Sequence, residues 1–182
     1  MRALLSVSNR EGIGPFARDL LTQGVEVFAT EGTREFLVHE GVEVRSVTEL
    51  TGVEPIAGGQ VKTLHPAIYA GILARRDKPE QLEELAAQGI GLIDVVAVNV
   101  SHFAPQVGAR LVPLDEAIEM IDIGGAALLA AAARNYAGVA AVANPSRYST
   151  VIGEIRQRGA VSAELRQDLA AEAYGLVAAY HS

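Results

Sequence analysis

Short apolar runs alternate with amphipathic stretches along this chain, and the alternation is the first guide to its fold. Ala3-Leu4-Leu5-Ser6-Val7 reads as a strand. Ile13, Phe16, Ala17, Leu20 and Leu21 then recur at helical spacing up to Gly24, a helix stop. The scheme repeats with a strand over 25–29, a turn at Thr30-Glu31-Gly32-Thr33, a short helix over 35–40 and a strand over 42–47. Residues 51–65 lack periodicity and carry Gly52, Pro55 and Gly58-Gly59, which predicts a loop. Helices are expected over 66–73 and 80–88, the second closed by Gly89. The run 93–100 is almost continuously apolar, as befits the buried centre of a parallel sheet. A short acidic helix over 114–120, an Ala-rich helix over 126–135 and a strand over 139–142 follow. Further helices are expected from Asn144-Pro145-Ser146 onward and from the Ser162 cap to Tyr180. Strands alternating with helices predict an α/β three-layer sandwich, a mostly parallel sheet with helices on both faces. No repeat or linker divides residues 1–182, so one domain is expected.

Composition narrows the functional classes. With 22 acidic against 15 basic residues the net charge is −7, a poor match for nucleic acid or an anionic membrane surface. The absence of cysteine excludes disulfides, zinc–thiolate centres and thiol nucleophiles. The His and acidic residues form no metal-ligand spacing, so no metal is expected. The N-terminal apolar run is too short for a secretory leader, and no run approaches the ~20 residues of a membrane span. A soluble, cytoplasmic domain is the expectation. Among the 15 basic residues only Lys62 and Lys78 are lysine; the others are arginine. A lysine retained against that bias is a candidate for chemistry that arginine cannot perform.

Four places carry such chemistry. Ser8-Asn9-Arg10 and Thr30-Glu31-Gly32-Thr33 each join hydroxyls to a helix start, where free N–H groups favour an anion and Arg10 adds a full charge. Ser8 and Thr33 equally suit plain N-caps. Neither turn has P-loop or dinucleotide-fold spacing, so a monophosphate is the modest reading. Val61-Lys62-Thr63-Leu64-His65-Pro66 gathers an ammonium, a hydroxyl and an imidazole, with His65 better suited to a structural hydrogen bond. Asp122 precedes Gly124-Gly125 and a helix. It is either a helix-dipole carboxylate or part of a site in which the N–H groups of residues 123–125 hold a ligand oxygen. Asn99, with His102 close behind, ends the most buried strand, where an amide would read a base.

These segments resemble the IMP cyclohydrolase domain of the bifunctional purine-biosynthesis enzyme AICAR transformylase/IMP cyclohydrolase. The resemblance rests on Leu5-Ser6-Val7-Ser8, Gly32-Thr33, Thr48-Glu49-Leu50-Thr51-Gly52, Val61-Lys62-Thr63-Leu64-His65-Pro66, Gly71-Ile72-Leu73-Ala74-Arg75 and Ile121-Asp122-Ile123-Gly124-Gly125 running on to Asn135. It covers nearly the whole chain and includes no transformylase domain. It implies a methylglyoxal-synthase-like fold and a cofactor-free closure of formyl-AICAR ribotide to IMP with loss of water. By the same resemblance Lys62 and Asp122 are catalytic, with Arg134 and His102 assisting. Ser8, Arg10, Thr30, Gly32, Thr33 and Thr63 would hold the ribose phosphate; Asn99, Ile123 and Gly124 would contact the base. The chain departs from the family pattern at Gln60 (arginine in the family), Ser101 (tyrosine), Arg134 (lysine) and Glu31 (glycine beside the phosphate), which implies reduced activity. The alternative is a purine-monophosphate-binding regulatory or scaffold domain of the same fold. A methylglyoxal-synthase-type lyase is disfavoured, because Ser6-Val7-Ser8-Asn9 and Gly58-Gly59-Gln60 lack its His-Asp start and Gly-Gly-Asp loop. A purine ribonucleotide partner, a homodimer and a separate transformylase complete the expectation.

Overall fold

The computed structural model describes residues 1–100, 113–119 and 121–182. The chain runs β1 (Arg2–Val7), α1 (Ile13–Thr22), β2 (Glu26–Ala29), α2 (Glu31–His39), β3 (Arg45–Ser46), α3 (Thr48–Thr51), α4 (Pro66–Leu73), α5 (Pro79–Ala87), β4 (Val95–Asn99). It continues α6 (Leu114–Glu119), α7 (Ile123–Arg134), β5 (Ala140–Val142), α8 (Tyr148–Arg158) and α9 (Ala163–His181). The strands form one sheet in the order β3-β2-β1-β4-β5, every adjacent pair parallel.

The two-residue period of a strand sorts the side chains into two apolar layers. Ala3, Leu5 and Val7 of β1 and Val95 and Ala97 of β4 face α1, α2 and α8. Leu4 with Val96 and Val98 faces α4 and α7 on the other side. α9 closes the β5 edge and serves both layers, Leu165 and Leu169 joining the first and Ala170 and Ala173 the second. The expected three-layer sandwich is the observed one.

Several boundaries differ from the sequence pattern, each for a physical reason. α2 starts at Glu31 because Thr30 is its N-cap and Thr30 O accepts the Arg34 N–H at 2.8 Å, so the supposed turn is the first helical turn. β3 shrinks to two paired residues, since the Val42 N–H is spent on Leu37 O at 2.8 Å in closing α2. Between the third expected strand and the expected loop, Thr48–Thr51 is helical. Ile56 and Val61 exchange backbone hydrogen bonds of 3.0 and 3.2 Å around a turn with positive φ at Ala57, Gly58 and Gly59. The Ala-rich helix begins at Ile123 rather than 126, its entry capped by Asp122.

Candidate functional site

In a parallel sheet whose strand order reverses, the crevice opens beyond the carboxyl ends of the strands at the reversal. Here β2 lies on one side of β1 and β4 on the other. A cavity of about 430 Å³ sits at that end, walled by Ser6, Val7 and Ser8 after β1, by Thr30, Gly32 and Thr33 at the α2 entry, and by the start of α7.

One end of the cavity suits an anion. Neither α1 nor α2 has a side-chain cap, so neither Ser8 nor Thr33 is the N-cap either could have been. Thr33 lies inside α2, buried, and its Oγ1 accepts the Val7 N–H at 3.0 Å. The Thr30 hydroxyl donates to Ser6 Oγ at 3.2 Å. These hydroxyls fasten α2 to the end of β1, and the entry of α2, whose first N–H groups have no intrahelical acceptor, lines the cavity at Thr30, Gly32 and Thr33. Arg10 adds its charge there, its Nη2 donating to Gly32 O at 3.4 Å and its guanidinium 5.1 Å from the centre of the Phe36 ring. Glu31 does not line the cavity. Its carboxylate pairs with Arg34 at 3.4 Å.

The other end carries the acid–base groups. The pinned turn at 56–61 places Gly58, Gly59 and Gln60 in the wall and delivers Lys62 to it. Asp122 lies opposite in the sequence order but in the same cavity. One Asp122 oxygen, Oδ1, accepts the Gly125 N–H at 2.7 Å, a helix cap. That bond consumes one of the three N–H groups expected for a ligand; those of Ile123 and Gly124, the first two residues of α7, keep no intrahelical acceptor. Close approach explains both glycines. A Cβ on Gly124 would stand 3.0 Å from Thr63 Oγ1, and one on Gly125 would stand 2.3 Å from Asp122 Oδ2.

Ten of the expected residues thus line one cavity: Ser8, Arg10, Thr30, Gly32, Thr33, Lys62, Thr63, Asp122, Ile123 and Gly124. Two do not. Asn99 was expected to contact the base, but its carboxamide is consumed by the Ser8-Asn9 bend. Oδ1 accepts Ser8 N–H at 2.7 Å and Asn9 N–H at 2.8 Å, and Nδ2 donates to Asn9 O at 2.8 Å. Arg134 is exposed at the far end of α7, about 18 Å from Asp122 at the helical rise. His102, like Ser101, lies outside the described residues. His65 is structural, its Nδ1 accepting the Ala67 N–H at 3.2 Å as the α4 cap.

Three polar groups near Asp122 carried no signal in the sequence. Glu119 lines the cavity from the end of α6. Tyr180 of α9 accepts the Asp122 N–H at 2.6 Å. On α4, burial first and the Asp122 charge second push the Tyr69 hydroxyl up to about 12. A tyrosine inside a helix looks like any other core residue, and only the packing of α9 on α7 reveals the Tyr180 contact.

A family model described as "MGS-like domain" matches residues 12–127. The chain belongs to the MGS-like domain family. A second model, "AICARFT/IMPCHase bienzyme", matches residues 132–182. The chain is 46% identical over 179 residues to the "Bifunctional purine biosynthesis protein PurH" of Listeria monocytogenes, covering 98% of this chain. The protein of the same description from Desulfitobacterium hafniense is also 46% identical over 179 residues. The chain spans about a third, 35% and 34%, of the length of these two relatives. It is also similar to a solved structure titled "Crystal structure of ForH", with 38% identity and a TM-score of 0.85, covering 100% of this chain and 94% of that one. The MGS-like fold is therefore common to the topology, the family model and the structural neighbour.

Proposed function

We propose that this MGS-like domain is an IMP cyclohydrolase, closing formyl-AICAR ribotide to IMP with loss of water. The observation that carries the proposal is the sharing of one cavity by Lys62 and Asp122, with an uncapped helix N-terminus and Arg10 at its other end. Relatives named for purine biosynthesis support it.

The ribose phosphate would sit against the α2 N-terminus, Arg10 and Ser8. The Ile123 and Gly124 N–H groups and Thr63 would hold the heterocycle. The carboxamide nitrogen attacks the formyl carbon, forming the ring C–N bond, and the formyl oxygen gathers negative charge. Lys62, an exposed ammonium at the wall, donates to that oxygen. The Asp122 carboxylate accepts the proton leaving the carboxamide nitrogen. The hydroxyl of the resulting carbinolamine then leaves as water: its C–O bond breaks, the former formamide nitrogen gives up its N–H proton to it and the ring C=N bond forms, so the atoms balance and no cofactor takes part. Much of the acceleration comes from holding a rotatable formyl group against a weak nucleophile. A homodimer, a cytoplasmic location and a companion transformylase belong to this same reading. Among the described residues no helix is long and apolar enough to cross a membrane.

The test is IMP formation by purified protein from formyl-AICAR ribotide, against the uncatalysed rate. Turnover is expected, and Lys62→Ala should lower kcat by roughly 10²–10³-fold, the usual cost of one oxyanion donor. IMP binding without turnover would replace the proposal with the regulatory or scaffold reading, and absence of both would remove the purine site.

A further inference from the structure

The N–H of a helix-capping residue lies outside the helix and has no acceptor within it. A capping box answers this with a side chain three residues on, which reaches back to that N–H. At the entry of α7 the box is only half built. Asp122 Oδ1 accepts the Gly125 N–H at 2.7 Å, but the residue that should reciprocate is Gly125 itself, which has no side chain to return. A side chain is excluded at that position, since even a Cβ would stand 2.3 Å from Asp122 Oδ2.

Tyr180 supplies the missing half from 58 residues away, its hydroxyl oxygen accepting the Asp122 N–H at 2.6 Å. Ala170, Ala173, Val177 and Tyr180 recur at spacings of three and four, which is one face of α9, and they pack with Ala126, Leu128 and Leu129 of α7 in one apolar layer. That face ends in a ring with a polar tip, at the end of α7 where Asp122 stands. Phenylalanine would fill the apolar space equally well and leave the part-buried N–H unpaired.

We propose that Tyr180 is a positioning residue for the Asp122 carboxylate. Its hydroxyl holds the backbone from which the side chain starts, and the Gly125 N–H holds one of the oxygens in which it ends. A carboxylate lining the cavity is thereby fixed at both ends. The proposal rests on the cyclisation reading for what Asp122 does, but the hold itself can be observed without turnover.

Tyr180→Phe removes the acceptor and keeps the ring. In ¹H–¹⁵N spectra the Asp122 amide proton is expected to move upfield in this variant, by more than the amide protons of Leu128 and Leu129 in the buried middle of α7. In the IMP-forming assay, run well below the melting temperature, kcat should fall about tenfold with KM within twofold, because the base is misplaced while the contacts to the phosphate and heterocycle remain. Tyr174→Phe, exposed on the same helix, should change neither reading. A merely structural tyrosine would lower the melting temperature and leave the kcat of the folded enzyme as it was. The proposal is overturned if the Asp122 amide proton stays in place, if the α7 amides all move alike, or if an active enzyme keeps its kcat once the Asp122 N–H is released. Selective release of that N–H in a protein that binds IMP without turnover would sustain the hold on Asp122 and remove the cyclisation reading.

Discussion

Gly125→Ala separates the fold from the chemistry, because one methyl group has offsetting effects on stability and an unopposed one on catalysis. The added Cβ would stand 2.3 Å from Asp122 Oδ2, 3.0 Å from Cγ and 3.2 Å from Oδ1. These are contacts with the end of a short rotatable side chain and not with backbone, so the carboxylate swings aside and α7 stays where it is. The swing breaks the 2.7 Å cap to Gly125 N–H, costing about 1 kcal/mol. Replacing glycine by alanine in a helix returns about 0.8–1.0 kcal/mol. The two nearly cancel. For a domain of this size about 1 kcal/mol moves Tm by only ~2–4 °C. Catalysis has no such offset: displacing a general base should cost at least ~10²-fold in kcat, equivalent to ~2.7 kcal/mol of barrier. Steady-state IMP formation and thermal melting by circular dichroism, measured on one preparation, read both effects. Gly124→Ala is the internal comparison. Its Cβ would meet Thr63 Oγ1 at 3.0 Å and Asp122 Oδ1 only at 3.9 Å, so it should raise KM more than it lowers kcat. A Gly125→Ala protein with kcat within threefold of wild type would refute the role given to Asp122.

Asn99→Ala strands two N–H donors and one carbonyl in the Ser8-Asn9 bend, so it should cost about 2–3 kcal/mol in urea unfolding and weaken IMP binding through the loosened Ser8 and Arg10. Unchanged stability would mean that the amide is free for a ligand after all. Burial is the foremost cause holding the Tyr69 and Tyr148 hydroxyls up to about 12, with the Asp122 charge adding to it at Tyr69 and a hydrogen bond with Asn99 opposing it at Tyr148. Tyrosines of the unfolded chain ionise near 10, so between about pH 10 and 12 the unfolded state binds fewer protons. The stabilisation is complete below pH 10 and is lost as pH rises through that window. Melting temperature should therefore stay level to about pH 10 and fall beyond it. Absorbance at 295 nm should show two tyrosines ionising later than the rest, and a single transition near 10 would contradict this.

The sandwich and the cavity ends were readable from the chain because they depend on local pattern. β1 and β4 announce themselves as apolar runs buried on both faces, and the Thr30 to Thr33 segment and Asp122 with its following glycines mark helix entries. What misled the pattern was partner choice. The carboxamide of Asn99 has the same composition whether it faces a base or a bend, and the backbone of residues 8–9 claimed it first. Arg134 follows Asp122 closely in sequence, yet a continuous helix carries it away from the cavity at about 1.5 Å per residue.

The amino-acid sequence by itself determined the α/β class, the parallel sheet and the nomination of Lys62 and Asp122, since strand and helix periodicity and residue chemistry are properties of short segments. Only the tertiary structure decided which groups meet. It set Lys62, Asp122 and the α2 entry around one cavity, turned Glu31 to Arg34 and brought the Tyr180 hydroxyl to the Asp122 N–H. The reason is that a hydrogen-bonding group is assigned by competition among every partner within reach. Those partners come from elements distant in sequence, which only the packing of helices on the sheet brings together.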